Sequence, residues 1–176
     1  MKIEYEARVL EIDVLNIIQK LEKLGAKKMG QWEQKRYVYD LHPKQEGKWI
    51  RLRTNGEAAT LTYKDIVSPT IDGTKEVEVV VSDFLKTHEL LQKIGFSHKG
   101  YQENKRIQYQ LHGVEIDIDT WPRIPSYLEV EGSSKQEVEE MLSLLEVSKE
   151  KVTTLDVQSI YEKYGITLSE IKELTF

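Results

Sequence analysis

Cysteine is absent from this chain of 176 residues, and that one absence removes disulfides, thiolate nucleophiles and zinc-thiolate centres together. Histidine is scarce. His42, His88, His98 and His112 sit in separate segments, with no i, i+4 pair and no H-E-x-x-H run to hold a zinc ion. Neither a G-x-G-x-x-G nor a G-x-x-x-x-G-K-[ST] stretch occurs, so a dinucleotide fold and a P-loop are not indicated, and no serine falls into a nucleophile-base pattern. No apolar run approaches the roughly 18 residues of a membrane helix, and the first residues are charged. The expectation is a soluble, unprocessed, cytoplasmic protein that engages no membrane. A net charge of −5 offers no general attraction for nucleic acid, so any polyanion must be held by a local basic site.

What the chain does contain is alternation. Period-two patterning bounded by turn residues predicts eight strands, at roughly 2–10, 34–41, 48–54, 58–65, 75–81, 102–110, 113–120 and 126–132. Short links such as "TNGEA" and "LHG" read as hairpins and make neighbouring strands antiparallel. Asp13 can cap a helix over "VLNIIQKLEKL" that Gly25 ends; Ser82 or Asp83 can open a second over "FLKTHELLQKI" that Gly95 ends. A third, "KQEVEEMLSLL", follows Ser133 and Ser134, and a further helical stretch, "LDVQSIYEKY", stops at Gly165. The first two helices belong to a repeat. At an offset of 70, Leu21, Gly25, Gly30, Glu33, Lys35, Arg36, Tyr39 and His42 meet Leu91, Gly95, Gly100, Glu103, Lys105, Arg106, Tyr109 and His112. Two copies suggest two pseudo-symmetric halves of one sheet rather than a solenoid.

Sorting each strand by face separates the residues sharply. Glu4, Glu6 and Arg8 share one side of the first strand, Arg51 and Arg53 of the third, Thr62 and Lys64 of the fourth. Glu76 with Glu78, Glu115 with Asp117 and Asp119, and Glu129 with Glu131 do the same on the fifth, seventh and eighth. One face is apolar and the other densely ionic. A solvated antiparallel face alternates in this way too, and then the charges mean little. Against that reading, the acids come as i, i+2 pairs, and the amphipathic helices need the apolar face for their own stripes. The ionic face then points into a closed eight-stranded barrel, which ordinarily fills with side chains or holds one small ligand. Two carboxylates about 4 Å apart repel by roughly 4 kcal/mol at an effective dielectric near 20. Such a lining calls for cations on the acids and an anion on the arginines. Paired carboxylates suit a hard divalent cation, and arginine forks suit phosphate oxygens, so a polyphosphate carrying metal ions meets both demands.

The same residues resemble a known family. "EYEAR" is similar to the E-x-E-x-K signature of the CYTH domain, also called the triphosphate tunnel metalloenzyme superfamily, and "IRLR", "LTYK", "KEVEVVV", "NKR" and "DIDTWPRIPSYLEVEG" follow in the family's order. The last stretch resembles the class IV cyclase-like branch. The resemblance covers about residues 1 to 165 and implies an α+β fold: an eight-stranded antiparallel barrel forming a tunnel, with helices on its outer face. The length favours a single domain over 1–176, and its C-terminal helical segment, about 154–176, could be a lid, a homodimer contact or a plug in one tunnel end.

By the same resemblance, Glu4, Glu6, Glu129 and Glu131 face Mg2+ or Mn2+, and Arg8, Arg51, Arg53, Lys64 and Arg106 hold phosphate oxygens. Glu4, Glu6, Arg8, Lys64 and Arg106 form the catalytic set, with Glu76, Glu78, Asp117 and Asp119 orienting the bases or assisting a second metal. Arg8 stands where the family has lysine, and Asn104 where it often has a base, with Lys105 or Lys35 as candidates to compensate. The implied activity is metal-dependent cleavage of tripolyphosphate, ATP or thiamine triphosphate. The alternatives are a class IV adenylyl cyclase, for which Trp32, Trp49, Trp121 or Tyr127 could stack on the base, and a non-catalytic polyphosphate-binding module.

Overall fold

Asp13, Asp83 and Ser134 each accept a hydrogen bond from the backbone amide three residues on, and a ten-residue helix starts after each: α1 (Val14–Lys23), α2 (Phe84–Lys93) and α3 (Lys135–Leu144). Satisfying one orphan amide at the first turn makes these starts local decisions of the sequence. Gly25 and Gly95 stop α1 and α2 at φ +75° and +101°, a left-handed conformation that costs glycine little. The two stops are repeat equivalents.

The computed structural model describes residues 1–176. Its eight main strands are β1 (Lys2–Val9), β2 (Lys27–Asp40), β3 (Lys48–Thr54), β4 (Ala59–Ile66), β5 (Thr74–Val81), β6 (His98–Leu111), β7 (Val114–Thr120) and β8 (Tyr127–Gly132). They pair in the order β6-β2-β3-β4-β5-β1-β8-β7, and a further β6–β7 ladder closes the ring. Every pairing in the ring is antiparallel, as the hairpin links predict. Six strands keep the predicted bounds to within a residue or two. β2 and β6 begin at Lys27 and His98 instead of 34 and 102, because their early residues carry no apolar face and are held by mutual backbone pairing rather than burial.

The repeat is built into the barrel as a pseudo-two-fold axis. Gln34 pairs with Asn104 across β2 and β6, and Glu4 pairs with Thr74 across β1 and β5; in both pairs the partners are one repeat apart. The axis therefore pierces two opposite walls and crosses the lumen. It relates β1-α1-β2-β3-β4 to β5-α2-β6-β7-β8.

The apolar core lies outside the barrel. Helices α1 and α3 cover Ala7, Val9, Ile116, Ile118, Leu128 and Val130, while α2 covers Tyr39 and Leu52 through Leu91. Each fully buried aliphatic side chain contributes about 1.5–3 kcal/mol, so this shell, not the ionic lumen, supplies the stability. The helices do not cover everything: Val77 and Val79 on the outer face of β5 stay exposed.

Beyond α3 the chain adds a two-residue strand against β1, β9 (Val152–Thr153), then α4 (Val157–Lys163) and a parallel strand on β6, β10 (Glu173–Leu174). Ile160, Tyr161, Leu168 and Leu174 pack with Leu10, Trp121 and Tyr127 in a second cluster, and the Tyr161 hydroxyl donates to the Pro122 carbonyl at 2.7 Å. The segment thus packs against residues that follow β1 and β7 and begin β8. No helix is long and apolar enough to cross a membrane.

Candidate functional site

Strand parity decides what enters the lumen. Glu4, Glu6 and Arg8 of β1 alternate with buried Ala7 and Val9, which face the helices, so the charged set has only the inside to occupy. The same alternation turns Arg51, Arg53, Lys64, Glu76, Glu78, Arg106, Asp117, Asp119, Glu129 and Glu131 inward. Twelve of these thirteen line a cavity of about 320 Å³, and Asp117 stands just behind it against Arg106. At about 30 Å³ per water, that volume has room for roughly ten waters or a small hydrated polyanion.

Sequence reasoning missed Lys2 of β1, which reaches Glu131 at 3.1 Å, and one arginine. Arg36 of β2 lies in the cavity and is almost fully buried. The signal was available, since Arg36 is the repeat equivalent of Arg106. Lys35 and Lys105, proposed as compensating bases, point outward: Lys35 is exposed, and Lys105 reaches Glu33 at 3.9 Å and the Phe176 ring at 4.4 Å. Each lies one residue from an inward arginine, and a one-residue step reverses the face. Arg36 is the basic residue that accompanies Asn104. Its guanidinium donates to Gln34 at 3.2 Å and to the Asn104 carbonyl oxygen, and its Cζ lies 4.5 Å over the Trp121 ring.

The lining is divided by charge sign. Arg36, Arg51 and Arg53 come from β2 and β3, which sit diametrically across the ring from β1 and β8, the source of Glu4, Glu6, Glu129 and Glu131. On the arginine wall the cations crowd one another. Burial, with Arg51 and Arg53 nearby, holds Arg36 well below the usual guanidinium range, and Arg51, helped by burial, lowers Arg53 to about 10. Arg51 reaches Glu78 at only 3.6 Å. The buried Nε atoms of Arg8, Arg36 and Arg51 have no hydrogen-bond partner. A buried donor left unmade costs about 1–3 kcal/mol, which an anion in the lumen would recover.

The acidic wall has the opposite surplus. Glu4 holds the Lys64 ammonium with both oxygens at 2.7 Å, Glu6 holds Arg8 at 3.0 Å and Glu131 holds Lys2 at 3.1 Å. Burial nevertheless outweighs these partners and raises all three carboxyl groups, and it raises Glu115 with the help of Glu131. The resident cations do not balance the acids. No three carboxylates converge tightly enough to form a ready cage. The residues of this wall that could hold a divalent cation are Glu4 and Glu6, which would have to release Lys64 and Arg8 to do so.

Glu129 is different from the other three acids named as metal ligands. It lies 2.6 Å from Arg8 and 3.1 Å from Arg106, and these arginines overcome its burial and hold it well below the usual carboxylate range. It fixes two arginines at once. Arg106 is gripped further by Asp119 at 2.8 and 2.6 Å and by Asp117, and Asp119 also accepts from Asn104 at 3.2 Å. Glu76 lies 3.6 Å from Lys64, and Glu78 accepts from Thr62 at 2.6 Å. The acids expected to orient bases do stand beside them.

Asp117 carries a consequence for stability. Burial pushes its carboxyl up to about 8 against the pull of Arg106, far above the ordinary 3.8. The folded protein therefore holds a proton that the unfolded chain has released, and stability falls as pH rises from about 4 to about 8. In Asp117→Asn, that part of the slope is expected to vanish. Melting temperatures measured at intervals across the window, without ligand, check it.

A second cavity, of about 120 Å³, adjoins the first and is lined in part by the C-terminal segment. It shares Arg8, Arg36, Arg51 and Lys64, and adds the apolar Val38, Trp49, Ile66 and Leu168 beside Asp156 and Gln158. Arg8 ties the two regions together, donating at 2.9 Å to the Leu155 carbonyl. Of the aromatic residues considered for base stacking, Trp49 reaches this cavity. Trp121 is buried edge-on against Tyr161, and Tyr127 is buried beneath the same segment.

The family profile described as CYTH domain matches residues 2–159. No curated protein matches the sequence. Among solved structures, the chain is similar to the PH1012 protein of Pyrococcus horikoshii OT3, with 25% identity, a TM-score of 0.76, and coverage of 87% of this chain and 96% of that one. It is similar in fold to a candidate adenylate cyclase of Vibrio parahaemolyticus (12% identity, TM-score 0.78, coverage 92% and 98%). The same holds for HpAC1 of Hippeastrum, a candidate adenylyl cyclase described with a dominant triphosphatase activity (14% identity, TM-score 0.61, coverage 94% and 97%).

Proposed function

The chain belongs to the CYTH domain family, and from that premise we propose that it is a divalent-metal-dependent enzyme that holds a triphosphate across the lumen and cleaves a phosphoanhydride bond. The observation that carries the reading is the opposition of an under-neutralised arginine wall to an under-neutralised acidic wall around one cavity. A metal-loaded triphosphate is a ligand whose two charge signs match both.

In this reading Arg36, Arg51 and Arg53 bind phosphate oxygens as forked donors. Arg8, Lys64 and Arg106 stabilise the charge that develops on the transferred group, the usual dominant contribution in phosphoryl transfer. Glu4, Glu6 and Glu131 would hold Mg2+ or Mn2+, with Glu129 at their edge; the bound ion supplies charge neutralisation and a more acidic water. Water attacks the terminal phosphorus, the anhydride P–O bond breaks and the shortened phosphate leaves. The small apolar cavity beside Trp49 favours an organic triphosphate over a bare inorganic one. That same cavity keeps a cyclase in view, in which a ribose hydroxyl attacks the alpha phosphorus and pyrophosphate departs.

The test is a panel of tripolyphosphate, ATP and thiamine triphosphate with Mg2+ or Mn2+, following orthophosphate, pyrophosphate and cyclic nucleotide separately. Orthophosphate that disappears on chelation is the expected product, and it should come faster from an organic substrate. Pyrophosphate with cyclic nucleotide from ATP would move the assignment to a cyclase. A rise in melting temperature with tripolyphosphate but no turnover would leave a binding module, and no rise at all would remove the reading.

A further inference from the structure

Arg36 and Arg106 are repeat equivalents that meet opposite neighbours. Across β2 and β3 Arg36 stands opposite Arg53, whereas across β6 and β7 Arg106 stands opposite Asp119. Asp117, Asp119 and Glu129 surround Arg106 and offset its charge. Arg36 is held by neutral groups alone. Its Nη2 donates to Gln34 Oε1 at 3.2 Å and to the Asn104 side-chain carbonyl, and its Nε is buried without a partner. The remaining contact is Trp121, whose ring centroid lies 4.5 Å from the guanidinium carbon.

An indole can fix an arginine without neutralising it. The negative face of its π system attracts the cation and brings no net charge of its own, and the attraction strengthens when both groups are out of water. Arg36 and Trp121 are 6% and 2% exposed. Packing alone does not account for a tryptophan here. Its Nε1 is buried without a hydrogen-bond partner, a penalty that phenylalanine or leucine would not carry at the same place. The C-terminal segment sets its position. Tyr161 of α4 meets the indole edge-on, with ring centroids 6.3 Å apart at 79°, and its hydroxyl donates at 2.7 Å to the carbonyl of Pro122, the next residue in the chain.

We infer that Trp121 is a positioning residue for substrate, holding Arg36 with its charge unspent where the two cavities meet. The inference rests on the triphosphate reading of the lumen. Four bases line both cavities: Arg8, Arg36, Arg51 and Lys64. Three of them already face a carboxylate, Arg8 at 2.6 Å from Glu129, Lys64 at 2.7 Å from Glu4 and Arg51 at 3.6 Å from Glu78. A phosphate group lying at the junction therefore finds its free cation in Arg36, and finds it in one orientation because Trp121 backs it.

Titration calorimetry with tripolyphosphate and Mg2+ tests this. Trp121→Leu is expected to weaken binding by about 3- to 30-fold, the range of a desolvated cation–π contact expressed as affinity. KM should rise in step while kcat stays within about two-fold, the pattern of a lost binding contact rather than a lost transition-state contact. Trp121→Phe keeps an aromatic face and should recover most of the affinity. Because leucine also loosens the packed cluster around this position, the deciding measurement is the cycle with Arg36→Met: if the indole acts through Arg36, Trp121→Leu costs no further affinity once Arg36 is gone. Losses that add in the double variant overturn the assignment, as does a Trp121→Phe protein no better than Trp121→Leu, or a fall in kcat at constant KM. A wild-type protein that binds no tripolyphosphate is a different result, which removes the triphosphate reading itself and this inference with it.

Discussion

Glu6→Gln is expected to lower kcat for metal-dependent phosphate release by about 10²–10³-fold, the range observed when one electrostatic contributor is removed from an active site, while leaving the melting temperature unchanged or slightly raised. The two halves of this result have one cause. Glu6 faces Glu131 across β1 and β8, and burial raises its carboxyl even with Arg8 at 3.0 Å. The charge therefore costs the fold stability, and the site retains it for what it attracts. The amide keeps the shape, removes the charge and leaves Arg8 tied to Glu129 at 2.6 Å. Orthophosphate release over a magnesium titration, set beside a thermal melt of the same preparation, checks both. Full activity in this variant would mean that the acidic wall holds no working metal.

Arg106→Met should behave in the opposite sense and lose stability first. Arg106 is the shared partner of Asp117, Asp119 and Glu129, the two aspartates almost fully buried, and these acids hold its guanidinium well above the usual range despite its own burial. Removing one side of such a group strands its partners, at a cost of about 3–5 kcal/mol. For a chain of this size, about 2–4 °C is lost per kcal/mol, which places the drop at about 6–20 °C. The stranded acids can recover part of it by taking up protons, so the deficit should be smaller near about pH 5 than near about pH 8. Melts of both proteins at the two pH values decide it. An unchanged melting temperature would mean that water already reaches these carboxylates.

The contrast between the two variants follows from what was legible in the sequence. Alternation in "KIEYEAR", "KWIRLR" and "VEIDIDT" is strict, so parity alone assigned their inward residues, and Asp13, Asp83 and Ser134 announced three helices through local capping chemistry. Arg36 was harder. Its neighbour Lys35 carries the same charge, and β2 begins seven residues before its apolar alternation does, so the strand's phase was hidden at that end. The repeat held the missing phase, because Arg36 and Arg106 are equivalent. Which carboxylate binds which base was not legible at all. That depends on register across strands: Arg8 sits opposite Glu129 because β1 and β8 pair antiparallel with Ala7 against Val130. The exposed Val77 and Val79 escaped notice for a related reason, since a strand pattern identifies an apolar side without saying whether anything lies on it.

The pseudo-two-fold axis also gives the lumen a direction. It passes between Glu4 and Thr74 on one wall and between Gln34 and Asn104 on the other, relating Glu6 to Glu76 but Arg8 to Glu78. The scaffold is nearly the same when turned end for end, and its side chains are not. A molecule as symmetrical as inorganic tripolyphosphate, whose two termini are chemically identical, would lose that equivalence on entering. The protein would then choose which end reacts.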